Sequence, residues 1–211
     1  MAKRHFLPAC VVLGLVLQTA PAAADGLLDT TVFKRDDIAA FTKWTGMLSR
    51  FSKSEHDPKA CPPSRLMPCP ERDWHAFLKD LAGKDLQTQL SAVNTRVNFA
   101  YYIEDMPNWG VPDYWATPFE FMARDGDCED YAIAKYLTLK ALGVDADHMR
   151  IVVVDDLDLG VPHAILTVET GGHVLVLDNQ VRQIVDASAV HHYRAIYSIN
   201  EHSWWLHHPP G

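Results

Sequence analysis

The feature that most constrains the fold is a pair of alternating apolar runs separated by two glycines, at Thr170-Gly171-Gly172-His173. Alternation at period two marks strands, and a two-residue Gly-Gly connection marks a tight hairpin. Pairing Thr170 with His173 sets Glu169 opposite Val174, Thr167 opposite Val176 and Ile165 opposite Asp178. Side chains alternate between faces, so this register also sorts them. Ala164, Leu166, Val168, Leu175 and Leu177 form one wholly apolar face, expected to meet the core. His163 falls on the other face as the diagonal neighbour of Asp178, about 7–8 Å away between backbones and nearer at the side-chain tips.

Further strands are expected from Arg150 to Val154, near Ile184 and from Ala195 to Ile199, with the hairpin itself spanning Ala164 to Glu169 and Val174 to Asp178. Helical periodicity dominates the earlier half. It runs from Ile38 to Phe51, from Trp74 to Leu81, and from Leu86 to Tyr102, where Leu86, Leu90, Val93, Val97 and Ala100 share a stripe. An aromatic loop is expected from Glu104 to Pro118, carrying Trp109, Tyr114 and Trp115 among prolines and a glycine. The next helix opens at Cys128, with Asp127 as N-cap and Asp130 three residues on, and closes at Leu142-Gly143. Helices followed by an antiparallel sheet make an α+β fold.

Residues 1–24 read as a secretory signal peptide: Lys3 and Arg4, an apolar run from Phe6 to Leu17, then Ala22-Ala23-Ala24 before Asp25. Leu7-Pro8-Ala9-Cys10 looks like a lipoprotein signal, but most of the apolar run follows this cysteine, which argues against lipidation. We therefore expect residues 25–211 to form one exported domain, periplasmic in location. Without the leader, 17 basic residues face 27 acidic ones. That balance excludes sequence-independent nucleic-acid binding and disfavours an anionic membrane surface. In an oxidising compartment Cys61 and Cys69, in the Pro-rich stretch from Cys61 to Pro70, are expected to form a local disulfide. Cys128 is then the odd thiol.

A cysteine at a helix N-terminus gains from the helix dipole and from free backbone amides, which favour the thiolate and can bind an oxyanion. With His163 and Asp178 meeting across the hairpin, the roles assign themselves: Cys128 attacks, His163 moves the proton, and Asp178 fixes the imidazole tautomer. Asp127, Glu129 and Asp130 oppose this, because negative charge raises a thiol pKa. Either they serve as caps and dipole partners, or a divalent cation neutralises them. Closely spaced hard oxygens suit Ca²⁺ better than zinc. The tail from His202 to Pro210 reads as a docked segment, since adjacent His207 and His208 lack the spacing that presents two imidazoles from one helix face.

Asp113-Tyr114-Trp115-Ala116-Thr117-Pro118-Phe119-Glu120-Phe121, Gly126-Asp127-Cys128-Glu129-Asp130-Tyr131-Ala132-Ile133-Ala134-Lys135-Tyr136, Pro162-His163-Ala164 and Leu177-Asp178-Asn179 resemble the bacterial transglutaminase-like cysteine peptidase family, which includes LapG-type periplasmic proteases. The resemblance runs from about Phe41 to Tyr197. It implies a papain/transglutaminase-like α+β fold and a catalytic triad at Cys128, His163 and Asp178. It also implies calcium held by Asp127, Glu129 and Asp130, a surface adhesin cut in its N-terminal region to release biofilm cells, and control by a cyclic di-GMP-sensing membrane receptor. Two other activities fit the same residues: acyl transfer to an amine, as in a transglutaminase, and calcium-responsive binding without catalysis.

Overall fold

The computed structural model describes residues 27–54 and 68–209. Residues 1–24, expected as a leader, and Cys61, with its expected disulfide, lie outside the described residues. The hairpin is built in the expected register, from β3 (Val161–Thr170) and β4 (His173–Leu177), with Thr170 facing His173, Glu169 facing Val174 and Thr167 facing Val176. Gly171 and Gly172 both have positive φ, 58° and 79°, the backbone that a two-residue turn demands and a side chain resists.

Around the hairpin lie β2 (Met149–Asp156), β5 (Val185–Asp186), β6 (Tyr193–Ile199), β7 (Trp204–His208) and β1 (Thr31–Arg35). They form one antiparallel sheet of seven strands in the order β1-β7-β6-β2-β3-β4-β5. The outermost pair, β1 and β7, was not expected as strands. β1 is five residues long and almost wholly exposed, so it shows no apolar alternation. In β7 the alternation is hidden because an inward position is a histidine.

That histidine, His207, is buried between Thr30 and Ser198. Thr30 Oγ1 donates to the Leu27 carbonyl, 2.7 Å, so it accepts from His207 Nδ1–H, also at 2.7 Å. The ring's Nε2 is then the acceptor for the Ser198 hydroxyl, 2.9 Å. A neutral imidazole thus ties the segment before β1 to β6.

The helices are α1 (Thr42–Ser54), α2 (Pro70–Leu81), α3 (Leu86–Val97), α4 (Asp105–Trp109), α5 (Pro118–Arg124) and α6 (Cys128–Ala141). α1 begins after Ile38 and Phe41, which pack on the core without being helical. α2 begins before Trp74 because Pro70 suits the first helical turn and the Cys69 sulfur caps it, accepting from Arg72 N at 3.2 Å. α3 stops at Val97, short of Tyr102. Two short helices, α4 and α5, occupy the region from Glu104 to Arg124. α5 carries a complete capping box, Thr117 with Glu120, a signal present in the sequence as Thr-Pro-Phe-Glu.

Both faces of the sheet are covered. Leu166, Val168 and Leu177 meet the helices, while Val152, Val154, Ile165 and Val176 join Tyr193, Ala195 and Leu27 in a second, smaller core on the other side. No helix among the described residues is long and apolar enough to cross a membrane.

Burial, the nearby Arg150 charge and His208 pull the His207 pKa down to about 4. The folded state therefore prefers the neutral ring, and its contribution is complete above the unfolded pKa of about 6.5 and lost as pH falls towards 4. His207→Leu is expected to cost about 1–3 kcal/mol at pH 7, because Thr30 and Ser198 lose a partner. Denaturant unfolding at pH 7 and pH 5 tests this: the gap between wild type and variant should narrow at the lower pH.

Candidate active site and acidic cluster

α6 carries the thiol. It packs against β3, α3 and α5, and residues 130–139 are all buried, so its first turn has little freedom to move. Cys128, the first helical residue, is a free, half-buried thiol. Its Sγ–H donates to Glu129 Oε2 at 3.2 Å. Burial, then the Glu129 and Asp127 charges, push its pKa well above the ordinary thiol value, while the backbone amide of Ala164 works the other way. That amide belongs to the residue after His163, so the start of α6 sits against β3 beside the histidine.

His163 and Asp178 meet as the hairpin register requires. Nε2 of the ring lies 2.9 Å from Asp178 Oδ1, and both side chains are almost fully buried. Asp178, one residue past β4, also accepts from Gln180 N at 2.9 Å and from the Tyr193 hydroxyl at 2.6 Å. Burial pushes the Asp178 carboxyl up, but hydrogen bonds from His163, Tyr193 and Gln180 together with the His163 charge outweigh it, and the net shift is downward. An ionised Asp178 accepts from Nε2–H, which leaves Nδ1 as the nitrogen able to take a proton. Among the described residues Nδ1 makes no hydrogen bond, and none joins Cys128 to His163.

Tyr193 was not legible as a site residue. It opens β6 two residues before the expected start of that strand, and its ring lies 5.5 Å from the His163 ring. A buried tyrosine needs a hydroxyl partner, and here the partner is Asp178.

The acids flanking the thiol fall into two groupings. Asp127 occupies the N-cap position, yet its side chain caps nothing. Instead Asp127 and Asp130 converge with Asp105 of α4, with one carboxylate oxygen from each lying within 4.8 Å of the others. Glu129 converges instead with Asp105 and Asp113. The trio Asp127, Glu129 and Asp130 thus falls into two overlapping groupings that share Asp105, while the side chains of Asp127 and Glu129 stay in hydrogen-bond contact. Asp130 Oδ1 accepts from Ala116 N at 2.6 Å and Asp105 Oδ2 accepts from Tyr114 N. The remaining oxygens, Asp105 Oδ1, Asp127 Oδ1 and Asp130 Oδ2, are buried with no hydrogen bond.

Burial first, then mutual repulsion, raises these carboxyls, to about 9 for Asp127 and about 8 for Asp130. Three buried oxygens without donors are costly unless a cation meets them. The donor set, all hard oxygen, fits Ca²⁺. Gly126 gives the cluster its room, since a methyl there would run into the Asp130 carboxylate.

The aromatic loop supplies the cluster's outer wall. Trp109 stacks on Tyr114 at 4.4 Å, Arg124 lies over Trp109 at 4.3 Å, and Arg50 lies over Tyr114 at 4.6 Å. Lys43 pairs with Asp113. This packing brings Asp105 and Asp113 to the start of α6. Nothing local in the sequence signals it, because the two acids are more than 14 residues from Cys128, Asp105 on α4 and Asp113 in the loop that follows it.

Residues 68–208 match the family model described as bacterial transglutaminase-like cysteine proteinase. The chain belongs to that family. Among solved structures it is similar to Legionella pneumophila LapG, at 31% identity over 75% of this chain and 87% of that one, with a TM-score of 0.61. The calcium-bound form of Legionella pneumophila LapG matches at 32% identity with the same coverages and TM-score. The EGTA-treated form matches at 31% identity, covering 75% of this chain and 84% of that one, again at 0.61. No curated protein matches the chain. The mixed helix and antiparallel-sheet architecture is thus that of a transglutaminase-like cysteine peptidase.

Tyr193→Phe removes one of three donors to a buried carboxylate. It is expected to lower the free energy of unfolding by about 1–3 kcal/mol in denaturant titration. A variant as stable as wild type would mean that Asp178 is held without the hydroxyl.

Proposed function

We propose that this peptidase is an exported, calcium-dependent cysteine endopeptidase working through Cys128, His163 and Asp178. The observation that carries this reading is the buried His163–Asp178 pair on the hairpin, at 2.9 Å, adjoining the β3 amide that faces the thiol at the start of α6. Cys128 Sγ passes its proton to His163 Nδ1 and attacks the scissile carbonyl. The first-turn amides of α6 face the developing oxyanion. His163 then protonates the leaving amine, and the peptide bond breaks to leave a thioester. Water, losing a proton to His163, attacks the thioester and regenerates the thiol. Asp178 stays ionised and steadies the imidazolium throughout.

Asp105, Asp127 and Asp130 would hold calcium, with Glu129 beside them. When bound, the cation supplies the positive charge that offsets the carboxylates opposing thiolate formation. The calcium-bound form of Legionella pneumophila LapG supports this reading, as do the three unpartnered carboxylate oxygens.

The leader-like residues 1–24 support export to the periplasm, and that compartment supports a Cys61–Cys69 bridge. The resemblance to LapG-type proteases supports an adhesin N-terminal region as substrate and a cyclic di-GMP-sensing receptor as regulator.

Cys128→Ala is expected to abolish cleavage of surface-protein N-terminal fragments while changing stability by no more than about 1 kcal/mol. Retained cleavage would refute the nucleophile. Running the same assay with a labelled amine separates hydrolysis from transamidation: incorporation of the amine without chain cleavage would overturn the endopeptidase reading.

A chelator is expected to stop cleavage and added Ca²⁺ to restore it. Ca²⁺ at about 100 times its Kd should also stabilise the fold by ~2.7 kcal/mol, because the unfolded chain has no preformed site. A rate and an unfolding midpoint both indifferent to chelation would reduce the acids to structural groups.

A further inference from the structure

The hairpin leaves part of β3 with a strand on one side only. β2 pairs with β3 from Val161 to Val168, whereas β4 pairs with it only from Thr170 back to Leu166. Past Leu177 the chain is drawn off the sheet by α3 and its C-cap: Asn98 donates to the Asp178 carbonyl at 2.7 Å and Asn94 to the Arg182 carbonyl at 3.0 Å. Among the described residues no other strand takes up the open edge from Val161 to Ile165.

Residues flanking a two-residue turn hydrogen-bond to each other, so Thr170 and every second residue before it aim their backbone groups to the β4 side. Ala164 and Pro162 belong to that set. The Ala164 amide meets the Cys128 sulfur there, where α6 packs against β3. The Pro162 carbonyl, on the exposed stretch two residues earlier, meets no donor among the described residues. Proline has no N–H, so this edge accepts a donor but does not pair a whole further strand, a common protection against addition of another copy.

The loop before β3 holds Leu157 and Leu159 out to solvent, and Val161, the first residue of the strand, is exposed beside them. The loop is firmly bonded. Asp156 Oδ1 accepts from the amides of Asp158 and Leu159, each at 3.0 Å, the Asp156 carbonyl accepts from Gly160 N at 2.8 Å, and Leu157 N donates to the His192 carbonyl at 2.8 Å. Apolar side chains fixed in solvent beside an open strand edge make a contact surface.

We propose that the substrate polypeptide binds in extended form along this edge of β3, a mode that rests on the triad reading given above. The residue whose carbonyl the thiol attacks donates its N–H to the Pro162 carbonyl, and an apolar residue before it lies over Leu159 and Val161. Pro162 and Ala164 are alternate residues, roughly 6.6 Å apart along the strand, so a carbonyl held at the sulfur keeps its own residue's N–H within reach of Pro162. The mode selects an unfolded stretch of protein over a folded surface or a small amide.

The test uses acetyl-leucyl-alanyl chloromethyl ketone, from which the Cys128 sulfur displaces chloride, and an analogue with an ester oxygen in place of the alanyl N–H. Rates of Cys128 modification in the calcium-loaded protein are read by intact-mass spectrometry, each divided by the rate with iodoacetamide, which reports the thiol alone. The ester should react about fivefold to tenfold more slowly than the amide, the worth of one hydrogen bond. The doubly substituted Leu159→Ser, Val161→Ser protein should lower the ratio for the amide probe at least about threefold. An ester as fast as the amide, or a double variant as fast as wild type, would overturn the proposal. A Cys128 that reacts with neither probe nor iodoacetamide would fail the triad reading instead. Docking is then read by NMR of Cys128→Ala titrated with acetyl-leucyl-alaninamide: shifts at the Val161, His163 and Ala164 amides support the edge, and shifts confined elsewhere overturn it.

Discussion

The site depends on how tightly α6 is held. Cysteine reactivity in this architecture comes from position, a sulfur at the end of a helix with amides free around it, and a helix end positions nothing if the helix can slide. Here ten consecutive residues of α6 are buried, between the sheet on one side and α3 and α5 on the other. Such a helix carries no amphipathic stripe, because every side of it meets protein. Its burial sets the thiol against β3, and the same packing brings Asp130 into the interior and Lys135 into the core.

That arrangement brings an electrostatic conflict with it. The first turn that should favour a thiolate also carries Asp127, Glu129 and Asp130, and the fold adds Asp105 from a separate helix. Burial makes each charge more expensive and each repulsion longer in range. The structure leaves three of the carboxylate oxygens without donors, while Glu129 accepts from the thiol itself. His163 and Asp178, a short distance away, are in the opposite condition, satisfied by short hydrogen bonds and almost closed to solvent. The site thus couples a settled acid–base pair to an unsettled acidic cluster, and the thiol stands between them.

Much of this was legible from local patterns. The hairpin register, the start of α6 and the meeting of His163 with Asp178 follow from alternation and from turn and cap chemistry acting over a few residues. What escaped were features set by distant packing. β1 and β7 pair across nearly the whole chain length, and a buried histidine stands where an apolar residue would have announced the strand. Asp105 and Tyr193 reach the site from other elements, and no spacing within the sequence connects them to Cys128 or Asp178. Asp127 was legible as an N-cap by position, but its side chain turns to the cluster, because the burial that recruits Asp130 recruits it too.

The two glycines at the hairpin tip are remote from the chemistry, yet they act as its length gauge. Every pairing from Thr170–His173 down to Leu166–Leu177 is counted off from that turn. One residue more or fewer in the loop would carry Asp178 to the opposite face, away from His163, while leaving the strands equally able to hydrogen-bond. The register therefore tolerates changes in the composition of the strands more readily than changes in the length of the loop, and the turn constrains the site as firmly as the side chains that form it.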